Sequence, residues 1–281
     1  MAELARSSAL VDEHELLGGL LATTEGMELP HVKHYGDSSA ENDAFVGDVA
    51  LADVTAMGCV LVSGATAQAF SEATLAGRKL RVGECAFEAC LTGDGAVVDV
   101  PLAMRTGDSE YVLMGMGVRH PTLLAWLRFI AAVEQDGVRP FDGVQVEEAT
   151  GAMQSLLLWG PRAEDVLGDY VGDASLPEGE KVAQVLLDRL PCLMAAPPMM
   201  GGGAFLVFVP SELAVVLWRS LLSFTQVVPV GWEALLEHAA QNLPWTKKLN
   251  TTGRVRIGED ELAHLGLLRE GRDFVGCRLL D

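Results

Sequence analysis

Residues 60–70 read VLVSGATAQAF, and residues 156–167 read LLLWGPRAEDVL. Each is a short apolar strand, a glycine turn (Gly64, Gly160) and the start of a helix, with Pro161 suited to a first helical turn where its missing N–H is not needed. A second unit recurs as well. Residues 111–130, YVLMGMGVRHPTLLAWLRFI, and 205–222, FLVFVPSELAVVLWRSLL, both run strand, turn, helix. Trp126 and Trp218 fall inside the helices, and Ser211 is placed as an N-cap. The glycine turns are 96 residues apart and the tryptophans 92. Two unrelated pairs recurring at nearly one offset predict a duplicated α/β lobe, since a solenoid has a far shorter period.

Between the two units of the first copy lies a hairpin: CAFEACL as one strand, Thr92-Gly93-Asp94-Gly95 as a tight turn, and AVVDVPLAM as the return. The matching region of the second copy is read as MAAPPMMGGGAF, where three glycines mark a mobile loop or a close backbone approach. This GGG lacks the strand-then-helix context of a phosphate-cradling loop. The expected fold is α/β (α+β): two related lobes of mixed sheet and helices. Residues 1–49 with 140–250 form the first lobe, 50–139 the second, and 251–281 a C-terminal tail.

The chain has 281 residues, 49% of them hydrophobic, enough for two cores. Its formal charge is -19, from 20 basic and 39 acidic groups. That field repels phosphate backbones and argues against a nucleic-acid partner. Lys247, Lys248, Arg254 and Arg256 gather late and read as a solvated face or as an anion site for an acidic cofactor tail. No uncharged apolar run is long enough to span a membrane. The N-terminal MAELARSSALVDEHELLGGLL carries acids where a signal peptide needs bases and reads as a short amphipathic helix. Five cysteines without a close CxxC pair fit a cytoplasmic, reduced chain, and Cys85 and Cys90, in apolar sequence, read as buried thiols.

Other chemistries find little support. The six histidines are dispersed, and the near pair His31 and His34 sits in a stretch read as loop, with His31 at the surface. Zinc needs three or four ligands, so no metal is expected. There is no G-x-S-x-G elbow, and neither Cys85 nor Cys90 has an adjacent histidine or cation to activate it. Glu147-Glu148 reads as a solvated boundary.

Five segments in order, over roughly residues 31–277, resemble the T-protein family of folate-dependent aminomethyltransferases. HYGDSSAENDAFVGDVALADVTAMGCVLVSGATAQAF is similar to the family's opening pattern, through Tyr35-Gly36, Ala40-Glu41, Asp53-Val54-Thr55, Gly58 and Gly64. LLLWGPRAEDVL resembles its "L-x-G-P-x-A" segment. FLVFVPSELAVVLWRSLL resembles its "F-E-I-Y-V-P" strand with the helix that follows, and Arg272-Asp273-Phe274-Val275-Gly276 its "K-x-D-F-I-G" segment. The resemblance implies a folate cavity, with tetrahydrofolate as cofactor and a small-molecule one-carbon donor. A carboxylate beside the reacting nitrogens would handle protons and stabilise positive charge.

Asp99 is the candidate for that carboxylate, because AVVDVPLAM offers no other polar group. The family's hairpin carries two adjacent acids. Aligned without gaps, Asp99 takes the first place and Val100 the second; a one-residue deletion in the turn would put Asp99 in the second. An acid at a sheet edge, or bonded to backbone amides, is the alternative. Among cofactor-binding positions, Phe87 stands where the family has a tyrosine, Met116 where it has an asparagine, and Gly202 where a glutamate grips the pterin. Arg119 is a further cofactor-binding candidate. WEALLEHAAQNLP replaces an arginine-bearing helix.

Each unmatched pterin donor would cost roughly 1–3 kcal/mol, so the pterin pocket is read as degenerate. The family's C-terminal barrel has no counterpart in these residues, and a partner protein or homo-oligomer is expected in its place. Three functions follow: a tetrahydrofolate-linked methyl or aminomethyl transferase, a non-catalytic folate-fold scaffold, or a subunit of a demethylase or oxidase complex.

Overall fold

The computed structural model describes residues 8–115, 117–171, 175–200 and 203–280. The chain divides into two compact units, one of residues 1–56 with 150–246, the other of 57–149 with 247–281. In chain order, unit one begins with α1 Val11–Leu16, β1 Leu21–Ala22, β2 His31–Val32, α2 Ser38–Gly47 and β3 Val49–Asp53. Unit two follows with β4 Cys59–Gly64, α3 Ala67–Thr74, β5 Glu84–Phe87, β6 Cys90–Leu91 and β7 Val97–Asp99. It continues through β8 Leu102–Gly107, β9 Glu110–Met114, α4 His120–Ala131 and β10 Val144–Glu148. The chain returns to unit one for β11 Met153–Trp159, α5 Ala163–Val171, β12 Val182–Leu187, β13 Leu190–Ala195 and β14 Ala204–Pro210. Then come α6 Ala214–Leu221, β15 Val227–Pro229 and α7 Trp232–Asn242; α8 Thr246–Leu249 crosses back into unit two, which holds α9 Glu259–His264.

The two sheets share one plan. Unit two orders its strands β5-β8-β9-β4-β10, and unit one orders β12-β13-β14-β11-β3 with β15 added at the edge. The shared neighbours are all antiparallel, and β15 alone runs parallel, beside β3. Each sheet takes its fifth strand from the opposite stretch of sequence. β3 lies just ahead of β4 yet pairs with β11, and β10 lies just ahead of β11 yet pairs with β4.

The duplicated glycines make the same contact in each unit. Gly64 packs against the carbonyl of Gly143, the residue before β10, and Gly160 against that of Asp48, the residue before β3. A Cβ at either place would run into that carbonyl, so close approach of two backbones explains both glycines.

Helix burial follows the same repeat. On α4, Leu123, Leu124 and Leu127 face the core of unit two. On α6, Leu217, Trp218 and Leu221 face that of unit one. This spacing of one and three residues is the inward stripe of a surface helix, and each such side chain contributes roughly 1.5–3 kcal/mol by leaving water. Trp218 therefore matches Leu124 and not Trp126, which is only partly buried on the flank. Ser211 is not a cap. It opens a short 3-10 turn, Ser211–Leu213, and its hydroxyl donates to the Gly151 carbonyl.

The hairpin of unit two is broken into two pieces. Its base, β5 with β8, belongs to the main sheet, whereas β6 and β7 form a separate pair with a bulge. The break falls at Val100-Pro101, where proline has no N–H to give to a ladder. Its counterpart in unit one differs from the expected MAAPPMMGGGAF. β12 and β13 are joined by Asp188 and Arg189 alone, both with positive φ, as a tight hairpin turn requires. MAAPPMMGGGAF instead links β13 to β14, where unit two has only Asp108 and Ser109 between β8 and β9.

Residues 247–281 pack within unit two and do not stand apart as a tail. Ile257, Leu262, Leu267, Phe274 and Cys277 are buried. Arg269 donates to the carbonyls of Glu72, Leu75 and Gly77. Among the described residues no helix is long and apolar enough to cross a membrane.

Candidate functional site

Asp99 ends β7 and is fully buried. Its Cα partner across the ladder is Cys90. Oδ1 accepts the Val100 amide at 2.8 Å, so the backbone-amide alternative holds for one oxygen. Oδ2 lies against Gly115, just past β9, where a Cβ would stand 2.8 Å from it. Only glycine lets the carboxylate take that seat.

Phe87 ends β5, is buried, and pairs with Leu102. Arg119, in the turn before α4, has a buried guanidinium directed at backbone. Nε donates to the Val98 carbonyl and Nη2 to that of Val97, each at 2.8 Å. Nη1 donates to the carbonyls of Thr251 at 3.1 Å and Gly253 at 2.5 Å. Burial lowers the guanidinium from its usual value, and the nearby Asp99 charge acts the other way. The side chain expected at a cofactor thus grips the two residues ahead of Asp99. Met116 and Gly202 lie outside the described residues.

Two further groups of unit two escaped the sequence reading. His120, buried at the start of α4, meets the Glu148 carboxylate at 3.4 Å. Glu148 is therefore not a wholly solvated acid, although its neighbour Glu147 is exposed. Glu88 is fully buried against Gly77, and neither of its carboxylate oxygens has a hydrogen bond of good geometry among the described residues. Burial pushes its carboxyl up to about 8; the Gly77 and Arg78 amides and the charges of Arg78 and Arg269 offset this only in part. Cys90 is raised well above its ordinary value by burial and then by Asp99 and Glu88, which suits an inert thiol.

Unit one holds a different buried acid. Asp53, at the end of β3, accepts hydrogen bonds through Oδ2 from Ser8 at 2.9 Å, His14 at 3.0 Å and Gln154 at 2.8 Å. Through Oδ1 it accepts from the Thr55 amide and hydroxyl, at 3.0 and 2.6 Å. A carboxylate has no hydrogen to give, so His14 Nε2 donates and Nδ1 is left to accept the Tyr35 hydroxyl at 2.8 Å. Burial pushes Asp53 up, but the bonds from His14 and Thr55 prevail and hold it below the usual carboxylate range. Burial, Asp53 and Glu41 together raise the Tyr35 phenol. The network ties the N-terminal segment to the sheet.

His31 is buried against Trp232, with rings 5.3 Å apart, and not at the surface as expected. A depression of about 660 Å³ in unit one is rimmed by Glu164, Asp165, Asp169 and Glu178, and Asp99, Phe87 and Arg119 are not among the described residues that line it. Among the described residues no three histidine, cysteine or carboxylate side chains gather as a metal site. All five cysteines are buried thiols outside any disulfide.

The strand order and the duplicated strand-turn-helix units define an α/β protein of the aminomethyltransferase fold. The crystal structure of glycine cleavage system aminomethyltransferase T from Bartonella henselae has this fold, with a TM-score of 0.79 at 18% identity over 98% of this chain and 73% of that one. Residues 10–241 match the GCVT N-terminal domain, and the chain belongs to that family. The aminomethyltransferase of Rubrobacter xylanophilus is 28% identical, over 98% of this chain and 72% of the relative. That of Xanthomonas oryzae pv. oryzae is 27% identical, over 99% and 74%.

Proposed function

We propose that this chain is a tetrahydrofolate-linked one-carbon transferase, moving a methyl or aminomethyl group from a small-molecule donor, with Asp99 as the working carboxylate. The observation that carries the reading is the seat of Asp99: a fully buried carboxylate on the hairpin strand, one oxygen fixed by the Val100 amide and the other set against Gly115. A carboxylate shielded from water stabilises developing positive charge far better than one in bulk solvent. Family membership and the relatives' aminomethyltransferase names support the class of reaction.

Tetrahydrofolate, when bound, supplies the nitrogen atoms that carry the one-carbon unit. In this reading Asp99 is the acid that faces a nitrogen of that end of the cofactor, and Phe87 is the aromatic ring beside it. Asp99 would take up a proton from the reacting nitrogen or balance its charge. Phe87 would offer a ring face without the hydroxyl of a tyrosine. With Gly202 in place of a pterin-gripping glutamate, affinity is expected to be weak. A partner protein or a second copy of the chain is part of the same proposal.

Titration with tetrahydrofolate, followed by transfer assays on Asp99→Asn, tests the reading. Binding is expected within about threefold of wild type and transfer reduced by at least about 10³-fold. No binding by the wild-type chain at millimolar tetrahydrofolate would sink it. A non-catalytic scaffold, or a subunit of a demethylase or oxidase complex, is the second reading, favoured by Phe87 lacking the hydroxyl of the family's tyrosine and, in the gapless alignment, by Val100 in the place of the second acid.

A further inference from the structure

We propose that Arg119 is the positioning residue of Asp99, holding the Asp99 strand through its backbone so that the carboxylate keeps its seat against Gly115. The proposal rests on Asp99 being the working acid for its functional meaning, but its geometry stands without it.

Arg119 donates to the carbonyls of the two residues immediately ahead of Asp99. Charged hydrogen bonds of this kind are about twice as strong as neutral ones, and the planar fork fixes direction as well as distance. The same guanidinium reaches Thr251 and Gly253, and the Val97 amide donates to the Val255 carbonyl at 2.9 Å. Arg254 and Arg256, on either side of Val255, both pair with Asp94 at the hairpin tip. The segment from Thr251 to Arg256 thus lies along β7 as a strap, and Arg119 joins strap and strand at the point nearest Asp99.

The β7 strand needs such support. Its partner β6 has only two residues and a bulge, and Pro101 cuts the ladder beyond it. A pair this short has little stability of its own. Without the clamp, nothing in the β6–β7 ladder would hold the Val97–Asp99 backbone to a fraction of an ångström, the precision a working carboxylate requires.

Arg105 provides a control within the same unit. It too is a buried arginine bonded to backbone, but it lies on β8 and donates to the carbonyls of Leu80, Gly107 and Asp108, none of them on β7. The experiment compares Arg119→Lys, Arg119→Gln and Arg105→Gln in the full chain. It uses the amide resonance and hydrogen exchange of Val100, whose N–H reports the Asp99 Oδ1 contact. In either Arg119 variant, the Val100 resonance is expected to move and its exchange to speed up at least tenfold, with Arg105→Gln leaving both unchanged. Lysine keeps the charge but not the fork, so it tests positioning even where glutamine prevents folding. In transfer assays, Arg119→Lys should lower kcat at least tenfold with KM for tetrahydrofolate within about threefold. An unmoved Val100 amide in folded Arg119→Lys overturns the proposal, as does an equal response in Arg105→Gln. Absence of transfer by the wild-type chain overturns the functional reading instead, and the Val100 measurement still decides the role of Arg119.

Discussion

Units one and two wind the same strands in the same order and differ at opposite turns. Between the first two strands of the shared plan, unit one spends only Asp188 and Arg189, while unit two sends out residues 88–101 with Asp99 on them. At the next turn the economy reverses, with residues 196–203 in unit one and Asp108-Ser109 in unit two. Their buried acids differ accordingly. Asp53 lies on a sheet strand surrounded by donors, whereas Glu88 and Asp99 lie on the excursion, Asp99 bonded to the Val100 amide and Glu88 packed against Gly77. A duplicated scaffold keeps its sheet and places new chemistry in the loops, where insertion disturbs packing least.

Breaking the Asp53 network should have the largest effect on stability. Asp53→Ala leaves Ser8, His14, Thr55 and Gln154 without their common acceptor, and a loss of about 3–5 kcal/mol is expected in urea unfolding. A loss below about 1 kcal/mol would show that water replaces the carboxylate freely. Because the folded Asp53 pKa is depressed, its contribution is present above its unfolded value and is lost as pH falls through the folded one.

Glu88 should behave in the opposite sense. Its folded pKa is raised to about 8, so its contribution is full below its unfolded value near 4.5 and is lost as pH rises through the folded one. Glu88→Gln is expected to raise stability by about 4 kcal/mol at pH 8 and to change little at pH 4.5. Melting curves at both pH values would show it, and a variant less stable at pH 8 contradicts the account. The smallest effect is expected at Ser211, which caps no helix: Ser211→Ala should cost under about 0.5 kcal/mol, against about 1 kcal/mol for a true cap.

Much of the fold was legible because strand-turn-helix units announce themselves locally. Gly64 and Gly160 fall at equivalent turns, and the apolar spacing around Leu123 and Leu217 gives both helices their faces. What misled was constant offset. MAAPPMMGGGAF lies about one repeat after the hairpin, but the two-residue turn at Asp188-Arg189 brings β13 forward, and the longer 196–203 link restores the offset at β14. The candidate site was legible only as a list of types. Asp99 stood out because its strand has no other polar group, whereas Arg119 looked like a ligand contact until its carbonyl partners were known. The pair His14 and Asp53 is 39 residues apart, and no periodicity links them. Glu88 gave no signal, because an acid beside an apolar strand is ordinary until burial is complete.

The crossed origin of β3 and β10 sets a lower limit on how far this architecture can be divided. A lone repeat beginning at Val49 would carry a leading strand with no bed to lie in and a sheet short of its last member. Two identical short chains could satisfy each other by trading that strand, as swapped dimers do. The minimal closed object is therefore a couple, joined here by a peptide bond between halves that neither half can do without.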